Sequence, residues 1–303
     1  MLHVIGFALL LATVALLSWA SRRAWRHTNR VRKWGGAGLA ALLATAVAFV
    51  SVLTLVGLVR LHTRRAPVPA LKVAGTPDHI QRGQAIATSF CDACHSTTGP
   101  LTGGEDIGAH LPMPVGSFVA SNLTPAGQVN RWSDGEMFRA IRNSVDADGN
   151  WLISMSYTNA GKLSDDDIQA LIAYLRSRPA AGQATVHPPD QLNLFGVMML
   201  GAGLLPAGQP VVTSVITAPP KGPTVPYGAY ILSYQNCRVC HGANLAGGVE
   251  RQLGPIGPNL TLVKRWTREE FIATMRTGTD PGGHALSPQM PWRSIGNMDD
   301  ENC

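Results

Sequence analysis

The pattern Cys-x-x-Cys-His occurs twice, as Cys91-Asp92-Ala93-Cys94-His95 and as Cys237-Arg238-Val239-Cys240-His241, and it takes up four of the five cysteines. Two thiols at this spacing lie one helical turn apart, with the histidine on the same side. Such an arrangement suits c-type haem, because each thiol adds to a vinyl group while the adjacent imidazole reaches the iron. A redox dithiol or half of a zinc site shares the spacing, but structural zinc needs more Cys or His at ligand distance, and no third Cys-x-x-Cys exists. Cys303, the last residue, reads as an accidental end rather than a functional thiol.

With the two motifs as register, the chain after residue 78 can be laid on itself. The first copy runs Arg82-Gly83, the Cys motif, Ser121-Asn122-Leu123-Thr124, Arg131-Trp132-Ser133, Met155 and Lys162-Leu163-Ser164-Asp165-Asp166-Asp167. The second runs Tyr227-Gly228, the Cys motif, Pro258-Asn259-Leu260-Thr261, Arg265-Trp266-Thr267, Met290 and Asn297-Met298-Asp299-Asp300-Glu301. Repeats of this size are duplicated domains rather than solenoid units. Ser133-x-x-Glu136 and Thr267-x-x-Glu270 are capping boxes that open helices. Ile168, Leu171, Ile172 and Leu175 recur at helical spacing and mark a closing helix. Matching Leu163 with Met298 sets Cys303 opposite Ile168, so the closing helix of the second copy is expected to be truncated.

Ahead of the repeat, Leu2 to Ala20 is apolar apart from His3 and Ser18, and Ala37 to Val59 carries no charge. Each is long enough to cross a hydrocarbon core about 30 Å thick. Arg22, Arg23, Arg26, Arg30, Arg32 and Lys33 lie between them, and the positive-inside rule assigns that loop to the cytoplasm. Trp19, Trp25 and Trp34 flank it at interfacial height. Both chain ends then face outward, on the side where haem c is attached. A cleaved signal peptide would place its basic residues before the apolar stretch, not after it.

The net charge of +6 misleads, since residues 1–72 hold ten basic and no acidic side chains, leaving 15 basic and 19 acidic beyond them. That remainder, net −4, excludes a sequence-wide surface for nucleic acid. The fold expected is mainly α. Residues 1–72 form a two-helix membrane anchor with a basic cytoplasmic loop. Residues 78–178 and 227–303 form tandem class I cytochrome c-like domains. Residues 179–226 join them through a short apolar segment, Leu192 to Leu205, that either lies in the membrane interface, packs on a partner, or is buried between domains. From Pro206 to Pro226 an extended linker is expected.

An electron carrier fills both axial positions of its iron, and a thioether opposite the imidazole favours Fe(II). Met155 and Met290 hold equivalent places in the repeat and are the distal ligands expected opposite His95 and His241; His284 is the alternative in the second copy. Pro291 is expected to keep the chain extended beside Met290. Trp132 and Trp266 are expected on haem edges with the indole N–H toward a propionate, and Arg131 and Arg265 to neutralise that carboxylate. Asn122 and Asn259 read as loop residues that hydrogen-bond near the haem.

Residues 78–303 resemble the membrane-anchored multihaem cytochrome c subunits of periplasmic alcohol, gluconate and aldehyde dehydrogenases. The likeness lies in Cys-x-x-Cys-His, Ser-Asn-Leu-Thr-Pro (121–125), Arg-Trp-Ser-Asp-Gly-Glu (131–136), Gln-Met-Pro-Trp (289–292) and the Asp-rich start of the closing helix. The resemblance implies electron transfer from a catalytic subunit toward quinone or a terminal oxidase, with His95/Met155 and His241/Met290 as axial pairs. Many such subunits carry three haems and a C-terminal anchor, whereas this chain has two motifs and an N-terminal helical pair. The function expected is that of an inner-membrane dihaem cytochrome c facing the periplasm or cell exterior, with two covalent haem c groups and a redox partner: a dehydrogenase subunit, a soluble cytochrome or an oxidase. The alternatives are a dihaem enzyme of peroxidase or thiosulfate-oxidising type, which needs an open iron position, and an anchoring subunit of a larger respiratory complex.

Overall fold

The computed structural model describes residues 2–205, 207–250, 252 and 255–299. The chain is mainly helical and divides into two compact units. One comprises residues 1–64, 107–117 and 190–207; the other holds both Cys motifs, in residues 65–106, 118–189 and 208–303.

In the first unit, α1 (Leu2–Trp25) and α2 (Ala37–Thr63) pack on each other, with a π-helical turn at Arg32–Gly36. The residues α2 buries are small: Ala37, Ala44, Ser51, Thr54 and Gly57. Small side chains let helices approach closely where hydrophobic contrast with the surroundings is weak. Ser51 and Thr54 return their hydroxyls to the carbonyls of Val47 and Val50, so neither leaves a polar atom unpaired. Large side chains such as Leu9, Leu16, Leu42 and Phe49 face outward. At the turn, Trp25 and Trp34 meet edge to face with centroids 4.8 Å apart, and Lys33 lies 5.0 Å over the Trp25 ring. The same unit contains Gly116 and Ser117 of strand β1 (Gly116–Phe118), the strand β2 (Asp190–Leu192) paired with it, and helix α8 (Leu194–Gly201), packed on α2.

The second unit begins with α3 (Pro77–Ile86), started by the Thr76 hydroxyl and a proline in the first turn. The helix continues through a π-helical turn at Ala87–Cys91 into the short α4 (Asp92–His95). Next come α5 (Asp134–Asn143), α6 (Ile153–Ser156) and α7 (Asp165–Ser177). Both expected capping boxes form: Ser133 with Glu136 opens α5, and Thr267 with Glu270 opens α11 (Arg268–Thr277). The α7 stripe Ile168, Leu171, Ile172 and Leu175 is sealed, and α3 packs across α7 at Gly83. A Cβ there would stand 2.0 Å from the Ala170 carbonyl oxygen, so the crossing requires glycine.

The core of that unit runs on into the second copy. Tyr227, Tyr230, Ile231 and Tyr234 of α9 (Val225–Tyr234) pack with Ile86, Leu163, Ile168 and Ile172. At its centre Arg82 grips Asp167 with two bonds of 2.7 and 2.9 Å, the Tyr230 hydroxyl donates to the same carboxylate, and the Ser164 N–H donates to the Tyr230 oxygen at 2.8 Å. Every partner of the buried carboxylate is thereby a donor, as a charge out of water requires. The stretch from Gly208 to Thr224 has no regular structure, yet its backbone is tied: Val212 N–H to Asn143 Oδ1, Ile216 N–H to Asp165 Oδ1, and Gln209 N–H to Ser156 O. The chain then forms α10 (Cys237–His241), α11 and α12 (Trp292–Ile295). Pro291 stands at the N-cap of α12, so the extended stretch expected beside Met290 is instead a turn into a short helix, its Trp292 N–H bonded to the Met290 carbonyl. Asp300, Glu301 and Cys303, on which the expected closing helix turned, lie outside the described residues.

Candidate haem-binding sites

Cys91 ends the π-turn and Cys94 follows within α4; Cys237 and Cys240 are both in α10. All four are free thiols. Burial raises each above its ordinary range, and Cys91, with Cys94 and Asp92 adding to the desolvation, is pushed up to about 12.

Each motif histidine is fixed through one ring nitrogen. His95 Nδ1 lies 2.7 Å from the Ser121 carbonyl oxygen, and His241 Nδ1 lies 2.8 Å from that of Pro258. A carbonyl can only accept, so Nδ1 carries the proton and donates, leaving the Nε2 lone pair for a metal. Burial lowers the pKa of His95, opposed by its bond to Ser121, which favours the neutral ring that can ligate. Ser121 and Pro258 are equivalent positions in the repeat.

The backbone around each imidazole repeats bond for bond. Gly103 N–H donates to His95 O at 2.8 Å, and Gly247 N–H to His241 O at 3.0 Å. Leu123 N–H meets Leu101 O, and Leu260 N–H meets Leu245 O, both at 2.8 Å. Leu101 and Leu245 are both left-handed, each with φ of 58°. A Cβ on Gly104 would lie 2.2 Å from the Cys94 carbonyl oxygen, and one on Gly248 would lie 2.4 Å from that of Cys240. These loop residues were not singled out from the sequence. The signal was present as Leu-x-Gly-Gly, at 101–104 and 245–248.

On the other side of each copy, α5 and α11 end in left-handed caps, Ser144 and Gly278. Each leads into a tight turn. Asp146 accepts from the Asn150 N–H at 2.7 Å, and Asp280 accepts from the His284 N–H at 2.9 Å. Beyond the turns, Leu152 N–H bonds to Ser144 O and Leu286 N–H to Gly278 O. This register makes His284 the counterpart of Asn150, and its exposed ring sits on the Asp280 carboxylate. Met155 and Met290 follow Leu152 and Leu286 and are half-buried; Met155 packs against the core. Trp132 and Trp266 are also half-buried, while Arg131 and Arg265 are exposed. Asn122 and Asn259 each accept from the N–H two residues on, at 2.8 Å, and Asn122 also donates to the carbonyls of Ala181 and Gln183.

Two thiols one turn apart, an imidazole held in the ligating tautomer and a glycine-lined loop together fit haem c. Comparison with known proteins agrees. Residues 80–179 match the family model described as Cytochrome c. The chain is 28% identical over 217 residues to the cytochrome c subunit of alcohol dehydrogenase (quinone) from Gluconobacter oxydans, covering 67% of this chain and 43% of that one. It is 28% identical over 172 residues to the gluconate 2-dehydrogenase cytochrome c subunit of Pantoea cypripedii, covering 54% of this chain and 37% of that one. It is also 28% identical over 240 residues to one of the subunits of nicotinate dehydrogenase from Pseudomonas putida, covering 70% of this chain and 19% of the relative. The chain therefore spans less than half the length of each of these relatives. The chain carries a cytochrome c domain, which implies covalently bound haem c, and is homologous to the cytochrome c subunits of quinone, gluconate and fructose dehydrogenases.

Proposed function

We propose that the chain is a membrane-anchored, extracytoplasmic dihaem cytochrome c that passes single electrons between a dehydrogenase partner and quinone or a terminal oxidase. The observation that carries this reading is the twice-built frame around the motif histidines, His95 on Ser121 and His241 on Pro258. One frame per motif supports two covalent haem c groups, held by Cys91 and Cys94 and by Cys237 and Cys240, in tandem domains at 78–178 and 227–303. Haem c supplies a one-electron Fe(III)/Fe(II) couple when bound.

The residues around it do the tuning. The carbonyls of Ser121 and Pro258 hold the imidazole planes and raise the basicity of Nε2. Met155 and Met290 would hold the iron opposite His95 and His241, and a thioether there would favour the reduced state. Trp132 with Arg131, and Trp266 with Arg265, would meet the propionates. The apolar outer faces of α1 and α2 support two membrane spans. The basic turn between them supports a cytoplasmic loop, which leaves the haem domains on the other side.

The dehydrogenase partner is inferred from the relatives. The test of the carrier reading is a redox titration of purified protein followed by exposure of the reduced form to carbon monoxide. Two one-electron waves and no stoichiometric CO binding are expected in the wild type. Met155→Ala and Met290→Ala should each remove about half of the far-red sulfur-to-iron band and open one haem to CO. A wild-type haem that binds CO stoichiometrically would overturn the carrier reading in favour of an enzymatic haem.

A further inference from the structure

The first unit contains more than the two long helices. Ser121, whose carbonyl orients His95, lies 26 residues beyond it in the first copy; Pro258 lies 17 residues beyond His241 in the second. Seven of the nine extra residues fall between Gly104 and Ser121, where the apolar loop 107–117 belongs to the unit of α1 and α2 rather than to the unit of the Cys motifs. So does 190–205, with α8. No Asp, Glu, Lys or Arg occurs from Ile107 to Asn130 or from Gln191 to Pro220.

The packing sets the height of these segments on the long helices. A Cβ on Gly57 of α2 would lie 1.9 Å from the Val197 carbonyl oxygen, and one on Gly201 of α8 would lie 1.8 Å from that of Leu53, so the two backbones are nearly in contact. Gly6 of α1 receives the Leu194 side chain, its Cβ position 3.0 Å from Leu194 Cδ2. The ends of the segment are pinned by polar side chains from the tips of both long helices. His3 Nε2 sits 2.6 Å from the Leu192 carbonyl oxygen, and Arg60 Nη1 donates to that of Leu200 at 2.8 Å. His3 and Arg60 thus mark the same end of the helical pair. Gly57 and Leu53 lie three and seven residues inside Arg60, about 5 and 10 Å along the helix axis. That is the depth at which an interfacial helix buries its apolar face. Phe195 and Leu204 on the α8 segment, and Ile107, Leu111 and Met113 on the loop, are exposed, as are the large apolar side chains of α1 and α2 in the same unit.

We infer that residues 107–117 and 190–205 form a second membrane contact, an apolar platform that sits in one leaflet of a phospholipid bilayer beside the His3 and Arg60 ends of α1 and α2. The inference rests on reading α1 and α2 as spans. The occupant is lipid rather than a partner chain because the exposed apolar side chains belong to the same compact unit as α1 and α2, whose outer faces meet hydrocarbon on that reading. α8 is capped at both ends, with Asn193 accepting from Gly196 N–H at its start and Arg60 donating to the Leu200 carbonyl at its end, which lowers the cost of placing it in an apolar layer.

The test reconstitutes the full haem-loaded chain in phosphatidylethanolamine and phosphatidylglycerol vesicles carrying a diazirine in the acyl chain, with labelled peptides mapped by mass spectrometry. Labelling in α1, α2, 107–117 and 190–205, but not in 227–250, is expected. Labelling confined to α1 and α2 overturns the platform and leaves the anchor standing; no labelling anywhere overturns both. A second readout uses Phe195→Cys in a Cys303→Ser background. The introduced thiol should lose reactivity toward a charged maleimide in vesicles and regain it in detergent, whereas Val215→Cys should react in both. Reaction of Phe195→Cys in intact vesicles, or protection that survives detergent, overturns lipid as the occupant.

Discussion

The two copies share one plan around the histidine and differ in how deeply the helix that follows is buried. In the first, α5 buries seven of its ten residues; in the second, α11 buries only Thr274 and Met275. Gly83 is closed against α7, while a Cβ on Gly228 would meet nothing within 4 Å among the described residues. Yet the histidine bonds differ by only 0.1 Å, and Leu101 and Leu245 share one φ. Ligand orientation is therefore set by a short loop of backbone, and shielding by helix packing. The two can vary separately, which lets a duplicated domain keep its chemistry while its cover changes.

Arg142 and Arg276 offer the largest expected contrast. Arg142 is buried and donates to the carbonyls of Gly161 and Leu163 and to Asp165; the exposed Arg276 donates to the carbonyl of Met298, the counterpart of Leu163. Arg142→Ala leaves buried acceptors without a donor and should cost about 3–5 kcal/mol in denaturant unfolding. Arg276→Ala should cost about 1 kcal/mol. Equal losses would break the claim that cover is concentrated on the first copy.

The glycine pair comes next. Gly83→Ala pushes α3 off α7 and should destabilise by about 1–3 kcal/mol. Gly228→Ala, on an open helix face, should be neutral or stabilise by about 0.4–1 kcal/mol, because it restricts the unfolded chain. Thermal melting of the two variants against wild type checks both signs.

The smallest effect concerns the first capping box. Glu136 is held below the usual carboxylate range by the Ser133 N–H first and the Ser133 hydroxyl second. A depressed acid contributes stability that is present above its unfolded value of about 4.3 and fades as pH falls through the folded value. Unfolding midpoints measured from pH 6 down to pH 3 should fall less steeply in Glu136→Gln than in wild type. Unchanged steepness would remove the box from the account.

Much of this was legible in the sequence because it is local. Cys-x-x-Cys-His, the capping boxes and the stripe of α7 each depend on residues within about four positions, where helix periodicity and hydrogen-bond reach apply directly. The pairing of Leu163 with Met298 was legible from the repeat alone, and Arg142 and Arg276 give it a shared donor. What stayed hidden depends on contacts far apart in the chain. Nothing near Leu192 to Leu205 says that Gly57 of α2 will receive it, and the tyrosines of α9 give no local sign that they close on Asp167. The turn at Pro291 was misread because proline fixes its own φ but is equally at home opening a helix. His284, named as the alternative to Met290, stands in the turn on Asp280 as the counterpart of Asn150, a match that only the folded backbone displays.

The central claim is that one haem-binding frame is built twice, and the intact mass of the purified, denatured chain tests it most directly. Two covalently attached haem c groups per chain are expected, falling to one when Cys237 and Cys240 are both replaced by alanine and to one when Cys91 and Cys94 are. A wild-type mass carrying a single haem, or haem lost entirely on acid extraction, would contradict the account.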